Sequence, residues 1–243
     1  MNYIHESVQI DESTSVGHFS VIEENAKIGK NVRIGNRVTI HAGTQIGDGT
    51  TIDDGAVLGK KPKPAKTSTM KLSDTLPPLV IGEECTIGAN AIVYSGATIG
   101  ESTLIADLAT VRENVEVGSF VIIGRNVTVE NYVSIGTRTK IQSNSYITAY
   151  TTLEDHVFIA PCVTTTNDNF MGRTEARFDQ IKGATIKKGA RVGGASIILP
   201  GITIAEETFV AAGALVTKDT EAKSLIKGVP AKFVRTVPEE ELL

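Results

Sequence analysis

Ile81-Gly82-Glu83-Glu84-Cys85-Thr86-Ile87-Gly88-Ala89-Asn90-Ala91-Ile92-Val93 places an aliphatic residue at every sixth position, and Ile99-Gly100-Glu101-Ser102-Thr103-Leu104-Ile105 continues the count. The same period extends backward through Ile10, Val16, Ile22, Ile28, Ile34, Ile40, Ile46, Ile52 and Leu58. It runs forward through Val111, Val117, Ile123, Val129, Ile135, Ile141, Ile147, Leu153 and Ile159. A third run holds Ile186, Val192, Ile198, Ile204, Val210 and Val216. A repeat of this kind decides the fold before any local propensity is consulted.

Six residues match neither a helical stripe nor one long strand. They do match one side of a triangular coil of about 18 residues, with coils stacked about 4.8 Å apart by backbone pairing. The 29 ladder positions then make nearly ten rungs and a prism about 45 Å long. The position two before each ladder residue faces the same way. It is small or β-branched in most coils, as at Thr14, Ser20, Ala26, Val32, Ala91, Ala97, Thr103 and Val115. Gly29-Lys30-Asn31 and Gly47-Asp48-Gly49 fit corners, where Gly and Asn tolerate positive φ. Aromatics are 5% of the chain and Trp is absent, so the core is aliphatic. Such a core is one-dimensional, and added length adds rungs rather than domains.

The net charge is −4, which argues against a general nucleic-acid binder. No apolar run approaches the ~18 residues of a membrane span, so no membrane partner is expected. Met1-Asn2-Tyr3-Ile4-His5-Glu6 lacks the basic start of a signal peptide. Cys85 falls at an inward small position, and Cys162 has no evident partner. Both indicate a reducing, cytoplasmic setting without disulfides.

The ladder slips phase between Leu58 and Ile81 and between Ile159 and Ile186, by spans that are not multiples of six. Each slip must extrude a loop, and loops on rigid scaffolds carry sites. We therefore expect a β-helix over 1–218 with loops at 59–80 and 164–185. A tail over 219–243 follows, with helical composition around Glu221-Ala222-Lys223-Ser224-Leu225 and a frayed Glu239-Glu240-Glu241 end. The first loop holds Lys60, Lys61, Lys63, Lys66 and Lys71 against the single acid Asp74. It reads either as a solvated excursion or as an arm toward ligand phosphates. The second holds Thr164-Thr165-Thr166-Asn167-Asp168-Asn169-Phe170-Met171-Gly172-Arg173 and continues through Arg177. It reads either as an Asx-turn loop or as the site of chemistry.

The Ile-Gly-x-x-small-x signature resembles that of the hexapeptide-repeat acyltransferases. The resemblance implies a left-handed parallel β-helix, a hand that ordinary crossover rules do not supply. Lys140-Ile141-Gln142-Ser143-Asn144, Leu153-Glu154-Asp155 and Thr166-Asn167-Asp168 are most like segments of nucleotide-linked amino-sugar N-acyltransferases. Asn167 matches the Asn those enzymes place at the sugar amine and thioester. Asn144, Arg173 and Arg177 become candidates to bind the substrate, although Met171-Gly172-Arg173 stands where relatives often have Asn-Pro-Arg. Val192-Gly193-Gly194-Ala195, Val210-Ala211-Ala212-Gly213 and Lys227-Gly228-Val229-Pro230-Ala231-Lys232 resemble the acyl-CoA half of the family. By that resemblance Gly194, Ala195 and Ala212 line the pantetheine arm of acetyl-CoA or another short acyl-CoA. Thr217 and Lys218 lie at the adenine end, and Lys232 and Arg235 hold phosphates. A homotrimer with sites between subunits follows from the same resemblance, and no metal is required.

Acyl transfer from a thioester needs a nucleophile, a proton acceptor and an oxyanion donor. Asn167 cannot be the base, since an amide does not titrate near neutrality. It can orient an amine or donate to the oxyanion, with the departing thiolate or water taking the proton. Of His5, His18, His41 and His156, only His156 is near the second loop in sequence. His156 is thus the candidate base, with Asp168 or Glu154 as orienters. Three other readings stand beside this one. The same fold could acylate a hydroxyl or an amino-acid-derived amine, and a hydroxyl acceptor would make the reaction dependent on His156. A zinc hydratase needs three converging histidines, and these four are scattered. A non-catalytic scaffold or ice-binding helix would need flat, repeated outer faces, whereas here Glu, Lys, Asn and Arg vary.

Overall fold

The computed structural model describes residues 1–66, 68 and 76–243. The chain is a parallel β-helix of very short strands. Strand Tyr3–Ile4 begins face one, Gln9–Ile10 face two and Ser15–Val16 face three, and the cycle then repeats. Every third strand pairs in parallel, giving sheets of 11, 10 and 12 strands among the described residues. Register holds at 18 residues per coil, as in Ile105↔Ile123 and Ile123↔Ile141. It becomes 35 across the first excursion, Leu58↔Val93, and 33 across the second, Leu153↔Ile186.

The ladder residues form the core. Ile22, Ile40, Ile87, Ile105, Ile123, Ile141, Ile147, Val192 and Val210 are fully buried. The small inward positions lie among them, and their hydroxyls solve a local problem. Ser20, Thr103, Ser145 and Ser196 each donate to the carbonyl 15 residues on, at Gly35, Gly118, Ala160 and Ala211, at 3.0–3.1 Å. These carbonyls lie beside the core at a corner, where an unpaired acceptor is costly. Cys85 takes the same place, with Sγ 3.2 Å from the Gly100 carbonyl. Burial raises the pKa of its thiol, as expected for a structural cysteine.

The Gly after many ladder residues marks close approach of coils. A Cβ on Gly100 would stand 2.5 Å from the Gly118 carbonyl carbon, and one on Gly17 would stand 2.5 Å from that of Gly35. Corner residues take positive φ in most coils, at Asn25, Asn31, Asn90, Asn114, Asn126 and Asn144 among others. Bulkier residues do so too, including Phe120, Arg138 and His156.

Three sequence expectations are revised. The ladder also includes Ile4 and Thr165 on face one and Ile226 on face three, so face one has eleven strands rather than nearly ten. Ile4 is exposed on the first coil, and Thr165 is polar, so neither stood out. The excursions are shorter than 59–80 and 164–185, because strands Val57–Lys60, Val80–Ile81, Thr164–Thr165 and Thr185–Ile186 occupy those margins. The 219–243 tail is not helical. Ser224–Lys227 stacks in parallel on Phe209–Val210 and pairs antiparallel with Lys232–Thr236, and only Glu239–Glu241 forms a single 3₁₀ turn. Ile226, 7% exposed, supplies the apolar ladder contact that favours a strand over a helix there.

The mid-prism ladder can be tested by substitution. Ile123→Ala should lower unfolding free energy by about 2–5 kcal/mol, measured by urea titration at fixed protein concentration. Glu116→Ala, on an outward position, should change it by less than about 0.5 kcal/mol. Equal effects would contradict an inward Ile123.

Candidate active site

Both excursions leave the prism at the same corner, between faces one and two. The first follows strand Val57–Lys60 and rejoins at Val80–Ile81, and the second follows Thr164–Thr165 and rejoins at Thr185–Ile186. The departure at Thr165 has a local cause. Its Oγ1 accepts from the Thr148 amide at 2.8 Å and donates to the Tyr146 carbonyl at 3.4 Å, in a slot that is otherwise aliphatic. Gly183 marks the return, since a Cβ there would lie 2.3 Å from the Thr151 nitrogen.

Asp168 organises the second loop. Its Oδ1 accepts from the Phe170 amide at 2.8 Å, and its Oδ2 from the Gly172 amide at 2.9 Å and Arg177 Nη1 at 2.6 Å. The Gly172 amide is the chief cause holding the Asp168 carboxyl below the usual aspartate range, with Phe170 and Arg177 assisting. A carboxylate so occupied suits loop construction better than proton transfer. Arg177 is engaged by Asp168 and also stacks 4.8 Å from the Phe178 ring. Arg173 is exposed on the same loop.

Asn167 stands at the root of this loop, half-buried. Its Nδ2 donates to the Ala149 carbonyl at 3.4 Å, and its own carbonyl accepts from the Lys182 amide at 3.0 Å. One rung below, at the same corner, the Tyr150 main-chain amide serves the Asn131 carbonyl at 3.3 Å. The Asn167 side chain thus replaces a main-chain donor where the chain leaves the rung. A side-chain amide offers two N–H donors and an acceptor, so one N–H and Oδ1 remain available to a ligand.

Face one between the two excursions holds a polar cluster that sequence reasoning missed. Arg112 grips the buried Glu113 through Nε at 2.8 Å and Nη2 at 3.0 Å, and reaches Glu130 through Nη1 at 3.2 Å. Arg112 and Lys60 both lie over the Tyr94 ring, at 5.2 and 5.4 Å. Lys60 is therefore tied to the prism, whereas Lys71 and Asp74 of the same arm lie outside the described residues. Burial raises the pKa of the Tyr146 phenol, and the Glu130 charge adds to that. The available signal was the charged pair Arg112-Glu113 directly after ladder residue Val111, the second of which is 2% exposed.

The co-substrate candidates fall in two places. Gly194, Ala195 and Ala212 line the corner between faces three and one, joined by bonds such as Gly213 N to Gly194 O and Ala195 N to the Pro161 carbonyl. Asn144 and Cys162 share that corner two and one coils earlier, where Asn144 Oδ1 accepts from Asn126 Nδ2 at 2.9 Å. Lys232 starts the terminal hairpin strand beside Lys227, and Arg235 lies further along it opposite Leu225, both exposed. Thr217 and Lys218 instead follow the last face-one strand, Leu215–Val216, at the end of the prism nearest the Asn167 corner. His156 is placed apart from Asn167. It is exposed at the corner between faces two and three, a full face away within one protomer. Glu154 accepts from the Lys188 amide at 2.9 Å and so anchors a corner. Among the described residues no three His, Cys, Asp or Glu side chains gather as a metal site, and no helix is long and apolar enough to cross a membrane.

Residues 25–60 and 78–113 match the family model described as bacterial transferase hexapeptide, six repeats. These two stretches carry hexapeptide repeats of the bacterial transferase type. A Staphylococcus aureus (strain MRSA252) protein, provisionally named an acetyltransferase, is 39% identical over 72 residues, 30% of this chain and 36% of that one. Arabidopsis thaliana serine acetyltransferase 2 is 41% identical over 56 residues, 23% of this chain and 17% of its own. The chain thus spans about a third or less of these curated relatives. The Francisella novicida UDP-N-acetylglucosamine acyltransferase structure superposes with a TM-score of 0.55 at 18% identity, covering 97% of this chain and 68% of that one. The Arabidopsis UDP-N-acetylglucosamine acyltransferase gives 0.53 at 16%, covering 99% and 74%. Both share the β-helix fold of this chain.

The loop makes a pH prediction. Because the folded Asp168 value is depressed, its bonds hold above the ordinary aspartate value of about 3.9 and are lost only as pH falls through the lower folded value. At pH 6, Asp168→Asn should speed hydrogen exchange at the Phe170 and Gly172 amides. Unchanged protection in that variant would contradict the assignment.

Proposed function

We propose that this protein is an acyl-CoA-dependent N-acyltransferase that moves an acetyl or short acyl group to the amine of a nucleotide-linked amino sugar. The observation that carries the reading is the Asn167 side chain, seated at the root of a loop built by Asp168, with an N–H and Oδ1 still available. An amine is nucleophilic once deprotonated, so positioning accounts for much of the work. Asn167 orients the amine or donates to the thioester oxyanion, and the departing thiolate or water takes the proton. Gly194, Ala195 and Ala212 form the ledge for the pantetheine arm. Thr217 and Lys218 lie at the coenzyme's adenine end, Lys232 and Arg235 meet its phosphates, and Asn144, Arg173 and Arg177 face the acceptor.

The names of the curated relatives support acetyl transfer, and the Thr166-Asn167-Asp168 resemblance supports the amino-sugar acceptor. A homotrimer is part of the reading. Asn167 and His156 sit at different corners of one prism, and the coenzyme ledge lies at the third, so a complete site would draw on two protomers. The second reading, acylation of a hydroxyl, requires His156 as base. Its exposed position, with no side-chain bond to hold it among the described residues, favours the amine reading.

Mass spectrometry of products from a panel of nucleotide amino sugars and acyl-CoAs should reveal one acylated amine. Asn167→Ala should lower kcat/KM by about 10²–10³ without changing the circular dichroism spectrum. A near-normal Asn167→Ala enzyme would overturn the role. Loss of the acidic limb of the pH–rate profile only in His156→Ala would make His156 the base instead.

A further inference from the structure

Face three carries a row of alternating cations and rings next to the corner that holds His156. Register places Lys140 beside Phe158, Phe158 beside Arg191 and Arg191 beside Phe209. The row borders a cavity of about 280 Å³, which Arg138, Lys140, His156, Phe158, Arg191 and Glu241 help to line. Two of its guanidinium groups are pinned by stacking. Arg191 lies 5.1 Å from the Phe209 ring centre and Arg138 lies 4.9 Å from that of Phe120. Stacking fixes a planar cation through its face and leaves its in-plane donors clear of the ring.

Arg191 is under-used in this position. Its Nη1 donates to Glu241 at 3.2 Å, but Nε and Nη2 are buried with no acceptor among the described residues. Buried donors without partners are rare in folded proteins. Glu241 comes from the terminal 3₁₀ turn, which folds back over the cavity from strand Lys232–Thr236. This turn is lightly held at that point, by the Arg191 contact and by the Leu243 amide on Glu207 at 3.2 Å. The carboxylates facing the cavity are Glu207 and Glu241, against Arg138, Lys140, Arg191 and the His156 ring.

We propose that this cavity is a binding site for a phosphate-bearing ligand, and that Glu241 occupies it as an internal surrogate. A phosphate or diphosphate offers several acceptor oxygens in the plane of a guanidinium fork, where a single carboxylate oxygen reaches one N–H. The cavity has room for a diphosphate, and Phe158 gives a ring face beside it. The site lies at a different corner from the Gly194–Ala212 ledge and from Asn167. It stands whether or not the acyl-transfer reading is correct.

Calorimetry with inorganic diphosphate, UDP and coenzyme A tests the proposal without any turnover. Diphosphate should bind the whole protein. Arg191→Gln and, separately, the exposed-residue variant Lys140→Gln should each weaken it, by about tenfold for Arg191→Gln. Glu241→Gln should tighten it severalfold by removing the competing carboxylate. Competition by UDP would assign the cavity to a nucleotide, and competition by coenzyme A would assign it to the acyl donor. The proposal is overturned if diphosphate fails to bind both the wild type and Glu241→Gln at millimolar concentration. It is equally overturned if folded Arg191→Gln and Lys140→Gln bind it as the wild type does.

Discussion

The molecule depends on one constraint, that every coil must present its backbone in register to the coil above and the coil below. Parallel pairing at 18-residue spacing leaves no freedom inside the ladder, because a slip of one residue would turn the aliphatic column outward. Inserted residues can therefore exist only where the chain leaves the prism and returns to the same register. Leu58↔Val93 and Leu153↔Ile186 show both excursions doing so. They use the same corner, so the one variable part of a repetitive scaffold is concentrated along one edge.

The same constraint controls the polar groups. Corner carbonyls sit against the core and need donors, which Ser20, Thr103, Ser145 and Ser196 supply and Cys85 imitates. Where the second excursion breaks the pattern, side chains replace the missing main-chain partners. Thr165 turns an aliphatic slot into a hydrogen-bonded one, and Asn167 serves the Ala149 carbonyl. The residues best placed for chemistry are thus the ones that repair the break. That double duty makes a positioning role for Asn167 physically reasonable, since its amide is already held in place.

Much of the fold was legible because its signal repeats. Ile105, Ile123 and Ile141 each predict the next, and an error at one coil is corrected by its neighbours. The ends were less legible. Ile4 lies on an exposed first coil and Ile226 follows an irregular stretch, so the tail read as helical although it closes the prism as a hairpin. The candidate site was only partly legible. The Thr166-Asn167-Asp168 loop was found from its place at a phase slip, but Asp168 and Arg177 turned out to bind each other. Glu113 and Arg112 escaped notice because a charge after a ladder residue is usually solvated. Only the fold reveals that Glu113 is buried between the two excursions. The separation of His156 from Asn167 was likewise hidden, since closeness in sequence does not tell which corner a residue occupies.

The central claim is that a coenzyme A thioester lies along the small-residue corner formed by Gly194, Ala195 and Ala212. Calorimetry of coenzyme A with the wild type and with Ala212→Trp tests it most directly. The account predicts saturable binding to the wild type and at least about tenfold weaker binding to a folded Ala212→Trp protein. No binding to the wild type at millimolar coenzyme A, or equal affinity in the two proteins, would contradict it.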